Sequence, residues 1–166
     1  MSKQKYYKVL TKDLMAPNNT DFSYKGWENK TFKVKGKIEL YDNGLHLYTS
    51  LKNISTGNFG PRVFEAKIIG NEYIDNIDKV CCKEIKLIKE IDINKVKDNC
   101  WIYHYCRNIK DKKELWSKLT DNGWICNYCN GIKDRKELWS KLTDNMWIYH
   151  YCINIKNRKE LRDKIK

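Results

Sequence analysis

Residues 100–122 read CWIYHYCRNIKDKKELWSKLTDN, residues 123–145 read GWICNYCNGIKDRKELWSKLTDN, and residues 146–166 read MWIYHYCINIKNRKELRDKIK. The first two blocks agree at 17 of 23 positions and the third agrees with the first at 13 of 21. A fixed period of this length marks a tandem array of one supersecondary unit. Within a unit, Trp101, Ile102, Tyr105, Cys106 and Ile109 fall at i, i+1, i+4, i+5 and i+8, one apolar stripe of a helix. A break follows at Lys110-Asp111. Asp111, with Glu114 three residues on, reads as the N-cap and capping box of a second helix through Leu115, Trp116 and Leu119. Asp134 with Glu137 and Asn157 with Glu160 repeat the signal. Asp121 and Asn122 are placed to cap the next unit's first helix. Two helices of roughly 8–9 residues each account for the period.

One such pair cannot bury its own stripe, whereas stacked pairs cover one another. The expectation is a short α-solenoid of three 23-residue two-helix repeats. The third unit carries Arg162 where the others have Trp116 and Trp139, and Asp163 where they have Ser117 and Ser140, so its outer face is expected to be wet.

Working back towards the N-terminus, the pattern changes from helical to alternating. Strands are expected at Tyr6–Leu10, at Phe22–Tyr24, at Thr31–Val34, at Leu45–Tyr48, across 62–70, and around Ile85–Ile88, with a turn at Tyr41–Gly44 and a short helix at Ser50–Ile54. Cys81 and Cys82 are expected to be one core and one surface residue of a strand. The fold class is therefore α+β: a small mixed strand-rich domain over 1–92, continued by a helical array over 93–166 with repeats 100–122, 123–145 and 146–166.

The chain of 166 residues has a net charge of +12. Residues 1–92 carry 16 basic and 12 acidic side chains, and residues 93–166 carry 17 and 9, so the array is the more basic part. A basic surface points to an acidic protein surface or a nucleoprotein complex as partner, with nucleic acid as the alternative. No apolar run is long enough to span a bilayer and no signal-like segment follows Met1, so no membrane association and a cytoplasmic location are expected. Seven cysteines, an odd number, argue for reduced thiols. Oligomeric state is not legible.

Stacking would align basic side chains into ladders: Lys110, Lys133 and Lys156; Arg135 and Arg158; and Lys118, Lys141 and Lys164. With the unit positions Tyr103, His104, Tyr149 and His150, which lie off the apolar stripe and vary between copies, they form the candidate partner-binding face. Beside phosphates the same rings and cations would suit nucleic acid. Cys126-x-x-Cys129 has a ligand-like spacing, but Cys129 belongs to the buried cysteine series and no second pair exists, so no metal site is expected and no cofactor is called for.

Two resemblances attach to these residues. Tyr7-Lys8-Val9-Leu10, Asn43-Gly44-Leu45-His46-Leu47-Tyr48, Arg62-Val63-Phe64-Glu65-Ala66 and the run from Cys81 to Ile88 together resemble a small domain of bacteriophages and other mobile elements. The Trp–Tyr–Cys…Lys-Glu-Leu units resemble short helical repeats of phage and large-virus proteins. This implies a virus- or phage-encoded, non-enzymatic binding protein acting in a host cytoplasm, with a host-defence system that it inhibits as one target. A third similarity, of Gly44 to Ser50 and the following strand to the centre of ADP-ribosyltransferases, implies an alternative NAD-dependent enzyme. Tyr48 and Ser50 would line its pocket and Glu84 or Glu90 would polarise the ribose. That family's early His or Arg is matched here only by Tyr7 and Lys8.

Overall fold

A computed structural model of the chain describes residues 4–17, 19–56, 60–156 and 158–165. It divides into two compact units, residues 1–95 and 96–166. A 3-10 turn at Ile93–Lys95 stands at the end of the first unit.

The first unit contains β1 (Tyr6–Leu10), β2 (Met15–Ala16), β3 (Asn19–Ser23), β4 (Thr31–Lys33), β5 (Leu45–Tyr48), β6 (Arg62–Ile68), β7 (Tyr73–Asp75), β8 (Lys79–Cys82) and β9 (Glu84–Glu90). Seven of them form one sheet in the order β4-β9-β6-β1-β5-β8-β7, and β2 pairs with β3. All pairings are antiparallel. The expected strands are all present at or near their places, and the expected helix after Ser50 is a 3-10 helix at Lys52–Thr56. β2 and β7 carry no strong alternating pattern and were not expected.

Register decides which side chains meet. Lys8 stands opposite Phe64, Ala66 opposite Leu87, and Leu47 opposite Val80. With period-two alternation these residues share one face, where Leu10, Leu45, Phe64, Ile85 and Leu87 are packed with Tyr24 and Phe32. The sheet centre is buried on its other face too, since Val9 and Val63 are as enclosed as Leu10. Cys81 and Cys82 follow the same rule. Both are fully buried, contrary to the expected core-and-surface split, because the segment before β5 folds over Cys81. Gly44 makes that possible: a Cβ there would lie 2.2 Å from Cys81 Sγ.

The second unit repeats one design three times. Ten-residue helices α1 (Asn99–Asn108), α3 (Asn122–Gly131) and α5 (Asn145–Asn154) alternate with four-residue helices α2 (Lys113–Trp116), α4 (Lys136–Trp139) and α6 (Lys159–Arg162). The long helices start as expected. Asp98, Asp121 and Asp144 cap them by accepting from Trp101 N, Trp124 N and Trp147 N at 2.8, 3.0 and 3.2 Å. The short helices differ from expectation in length and cap. Lys112 and Arg135 occupy the cap positions of α2 and α4, and neither makes a side-chain cap bond. Asp111 and Asp134 are not available as caps because the following unit takes their carboxylates, as set out below. Asn157 lies outside the described residues.

Inside each unit Trp, Ile, Tyr and Leu side chains close a dry layer: Trp101, Ile102, Leu115 and Leu119, then Ile125, Tyr128, Leu138 and Leu142, then Ile148, Tyr151 and Leu161. Burial of apolar area at this density is the main stabilising term of such short helices, which are too short to persist alone. Among the described residues no helix is long and apolar enough to cross a membrane.

Candidate functional site

Two places combine charge with accessible surface, one in each unit. In the first unit a cavity of about 320 Å³ opens beside β1 and β5. β1 meets β5 at Tyr7 and Tyr48, whereas its pairing with β6 runs through all five residues. Past Tyr7 the two strands separate. The side chain of Lys8 spans the gap, and its ammonium donates to the carbonyl of His46 at 3.0 Å. Strand alternation thus sets a lysine on the apolar face of the central strand, where it is only 7% exposed. Its Nζ lies 5.3 Å from the Tyr24 ring centroid, and among the described residues no carboxylate pairs with it. Burial lowers its pKa to about 8.

Lys79 enters the same cavity from β8. Its ammonium sits 5.0 Å from the Tyr48 ring centre and 6.0 Å from that of Tyr41, with no ion pair among the described residues. His46 accepts at Nε2 from the Tyr41 amide at 3.0 Å, which places the ring proton on Nδ1. Burial, then the charges of Lys8 and Lys79, hold the imidazole below its ordinary pKa. The Tyr41 ring stacks on it with 6.3 Å between centroids and 13° between planes. Tyr41 itself has φ 71, a left-handed conformation costly for a bulky residue, held by an Asn76 amide donating to its hydroxyl at 2.8 Å.

Of the residues expected for an NAD pocket, Tyr48 alone lines this cavity. Glu84 and Glu90 belong to β9, which β6 and β1 separate from β5, a span of about 14 Å at ordinary strand spacing. Each is already engaged, Glu84 with Lys33 at 3.5 Å and Glu90 with Arg62 at 2.6 Å. Ser50 Oγ is buried without a hydrogen-bond partner among the described residues and lies outside the cavity lining. The structure does not bring these four together.

In the second unit the expected basic ladders fall into two kinds. Arg135 and Arg158 are tied between successive units. Arg135 ion-pairs with Asp111 at 2.5 Å and lies 4.5 Å over Trp116, and Arg158 repeats this with Asp134 at 2.8 Å and Trp139 at 5.3 Å. Tyr128 and Tyr151 complete each staple by donating their hydroxyls to the same carboxylates. Burial raises Asp134, but the Tyr151 hydroxyl and Arg158 outweigh it and hold the carboxyl below its ordinary pKa. Lys141 and Lys164 reach back to the carbonyls of Ser117 and Ser140 at 2.6 and 2.9 Å, at helix C-termini where a cation is favourable. Lys118 is half-buried. Lys156 approaches Asp134 at 4.0 Å, while Lys110 and Lys133 are exposed and form no ion pair among the described residues.

The ring positions also split. Tyr103 is 7% exposed, packed at 5.3 Å on Trp124 of the next unit, and Cys126 at the same repeat position is buried and donates to Trp147 O. His104 packs edge-on against Tyr103 and Trp124. These positions were expected on a free surface, and are instead the face on which the following unit stacks. Tyr149 is the exception, 61% exposed, with His150 exposed beside it. Met146 and Ile153 on the same helix are 64% and 61% exposed. Sequence alternation off the stripe could not show this, since only the presence of a stacking neighbour separates Tyr103 from Tyr149. The thiols of Cys126 and Cys129 are pushed up by burial to about 12 and about 11, which makes them neutral packing groups. Among the described residues no cluster of three or more His, Cys, Asp or Glu is placed to hold a metal.

No curated protein and no solved structure matches this chain. A family model does match, over residues 4–99, a span that contains the cavity and stops at the start of the first repeat. That span is more than half of the 166 residues, and the chain belongs to the family DUF7666, a domain of unknown function.

Proposed function

We propose that the three repeats form a short α-solenoid and that the protein is a non-enzymatic binding protein, docking through the exposed end of this basic array on an acidic protein surface. The observation that carries the reading is the apolar stripe of Met146, Tyr149 and Ile153 on α5, more than half exposed at each residue. At the position of Tyr149 the first two units bury Tyr103 and Cys126 against the next unit, and at the position of Ile153 they carry the exposed polar residues Arg107 and Asn130. Single exposed apolar residues are ordinary, whereas three on one helix face flanked by cations mark a contact surface.

The groups around the stripe favour a partner other than a further copy of the repeat. Where Asp111 and Asp134 receive the next unit's arginine, the third unit has Asn157, and where Trp116 and Trp139 offer a ring face to that arginine, it has Arg162. A fourth repeat of the same kind would lose its carboxylate and meet a like charge. Residues 146–166 carry six basic and two acidic side chains, so an amphipathic acidic segment is the complementary occupant.

The test compares the full chain with a Tyr149→Asp/Ile153→Asp variant, both exposed positions, as bait in nuclease-treated lysate. An acidic protein held by the wild type, released by high salt and not held by the variant, supports the reading. Equal capture by both removes the α5 stripe from it. Recovery of nucleic acid alone, abolished by nuclease, puts the nucleic-acid alternative in its place.

A further inference from the structure

We propose that the cavity between β1 and β5 is a binding site for a small organic anion, a phosphate or carboxylate compound whose charge is met by Lys8 and Lys79 together. The proposal is independent of the docking reading, which concerns the other unit.

Three observations support it. First, Lys8 occupies a position that the sheet assigns to an apolar residue. Tyr6, Lys8 and Leu10 alternate onto the face that buries Phe64 and Ala66, and a fold with no use for charge would place valine or leucine there. Its ammonium makes one hydrogen bond, to a backbone carbonyl, so two of its three donors lack a protein acceptor among the described residues. Second, Lys79 lies close enough to depress Lys8, and it too has aromatic faces around it in place of a carboxylate. Two unneutralised cations held around one cavity repel each other. An anion relieves both at once. Asp42, an exposed lining residue, is the one carboxylate in the lining. Third, the wall is built and not incidental. Tyr41 is held in a left-handed conformation, its amide bonded to His46 and its hydroxyl to Asn76, and its ring stacked on the imidazole. Strained backbone of this kind persists where the surrounding structure over-determines it, and it concentrates at ligand sites.

The cavity is at the small end of the range for organic ligands. The phenol and imidazole rings beside the two ammonium groups suit a flat organic anion. Lys8 is also the chain's most distinctive amine. A pKa of about 8 against an ordinary 10.5 leaves about 300-fold more neutral amine at neutral pH than an exposed lysine has.

That amine supplies the test. Pyridoxal 5′-phosphate, an anionic aldehyde, condenses with an amine to an imine with loss of water, and borohydride fixes the product for peptide mass spectrometry. The full chain carries 28 lysines, so the others are internal controls. Lys8 is expected to be labelled roughly tenfold faster than the median lysine. Millimolar AMP or nicotinate is expected to slow that labelling about fivefold, and to fail to do so in Lys79→Met. Protection by AMP assigns a phosphate ligand and protection by nicotinate a carboxylate one. Labelling of Lys8 at the rate of exposed lysines, or no protection by either anion, would overturn the proposal. Undiminished protection in Lys79→Met would overturn the two-lysine site.

Discussion

Arg158 Nη2 lies 2.8 Å from Asp134 Oδ2, and the same pair one repeat earlier is Arg135 with Asp111 at 2.5 Å. The carboxylate in each case follows the long helix of one unit and the arginine precedes the short helix of the next. Each pair therefore joins neighbouring units, and each carboxylate also accepts from a buried tyrosine of that next unit. Asn99 and Asn122, at the starts of α1 and α3, tie each long helix to the segment after its own short helix, their Oδ1 atoms accepting from Thr120 N and Thr143 N at 2.8 and 2.9 Å. Twenty-three-residue periodicity in the sequence is thus matched by periodicity in polar contacts.

Tyr151→Phe deletes one such bond with almost no change in volume. The hydroxyl lies 2.5 Å from Asp134 and the ring is fully buried. Hydrogen bonds to a charged acceptor are worth about 1.5–3 kcal/mol, and a loss near the lower end is expected in urea unfolding. Because Asp134→Asn weakens the same staple, the double variant should lose less than the sum. Strict additivity would show that the tyrosine and the carboxylate act separately.

Acid should dissolve the same staple. The carboxyl of Asp134 is held below its ordinary value in the folded chain, so its contribution is complete above the unfolded pKa and disappears as pH falls through the folded one. The stability gap between wild type and Asp134→Asn should be constant above about pH 5 and shrink below about pH 4. A gap independent of pH down to the acid transition would contradict the assignment.

At the alkaline end Lys8 dominates, and there too stability rises with pH. Its folded pKa of about 8 lies below the ordinary 10.5, so between those values the unfolded chain binds more protons and stability rises with pH. Lys8→Met removes the cost of a buried ammonium and leaves the His46 carbonyl unpaired. The net expectation is a gain of roughly 1–2 kcal/mol at pH 7 that fades by about pH 10. A variant less stable than wild type at pH 7 would mean that Lys8 serves the fold as a strut.

The same repeat position should respond in opposite ways at the two ends of the array. Tyr103→Ala empties a buried site against Trp124 and is expected to cost about 3 kcal/mol, whereas Tyr149→Ala, at an exposed residue, should stay within about 0.5 kcal/mol. Thermal unfolding of the two variants side by side checks this. A comparable loss for Tyr149 would mean that α5 is covered in solution by something the described residues do not include.

Much of this architecture is legible without coordinates. Spacing alone locates the long helices and their Asp caps, and alternation finds β1, β5, β6 and β9, because both signals reflect local geometry that neighbouring residues impose on one another. Lys8 could have been flagged in the same way, as a cation on the core side of Tyr6-Lys8-Leu10, had the pairing of β1 with β6 been known. β7 was missed because an edge strand with three exposed residues has no burial pattern to read.

The remainder belongs to tertiary structure. Asp111 with Glu114 has the form of a capping box, and its local geometry permits one. A charge-assisted contact from Arg135 and Tyr128 competes for the same carboxylate and prevails, and no sequence rule assigns the winner between a local and a distant partner. For the same reason Tyr103 and Tyr149, identical in the repeat, differ in exposure: burial belongs to the neighbour that stacks, not to the residue. The cavity is the furthest from the sequence, for it exists only where β1 and β5 part after Tyr7 and Tyr48, and that separation gathers Lys8, Tyr41, His46 and Lys79 from stretches up to 71 residues apart.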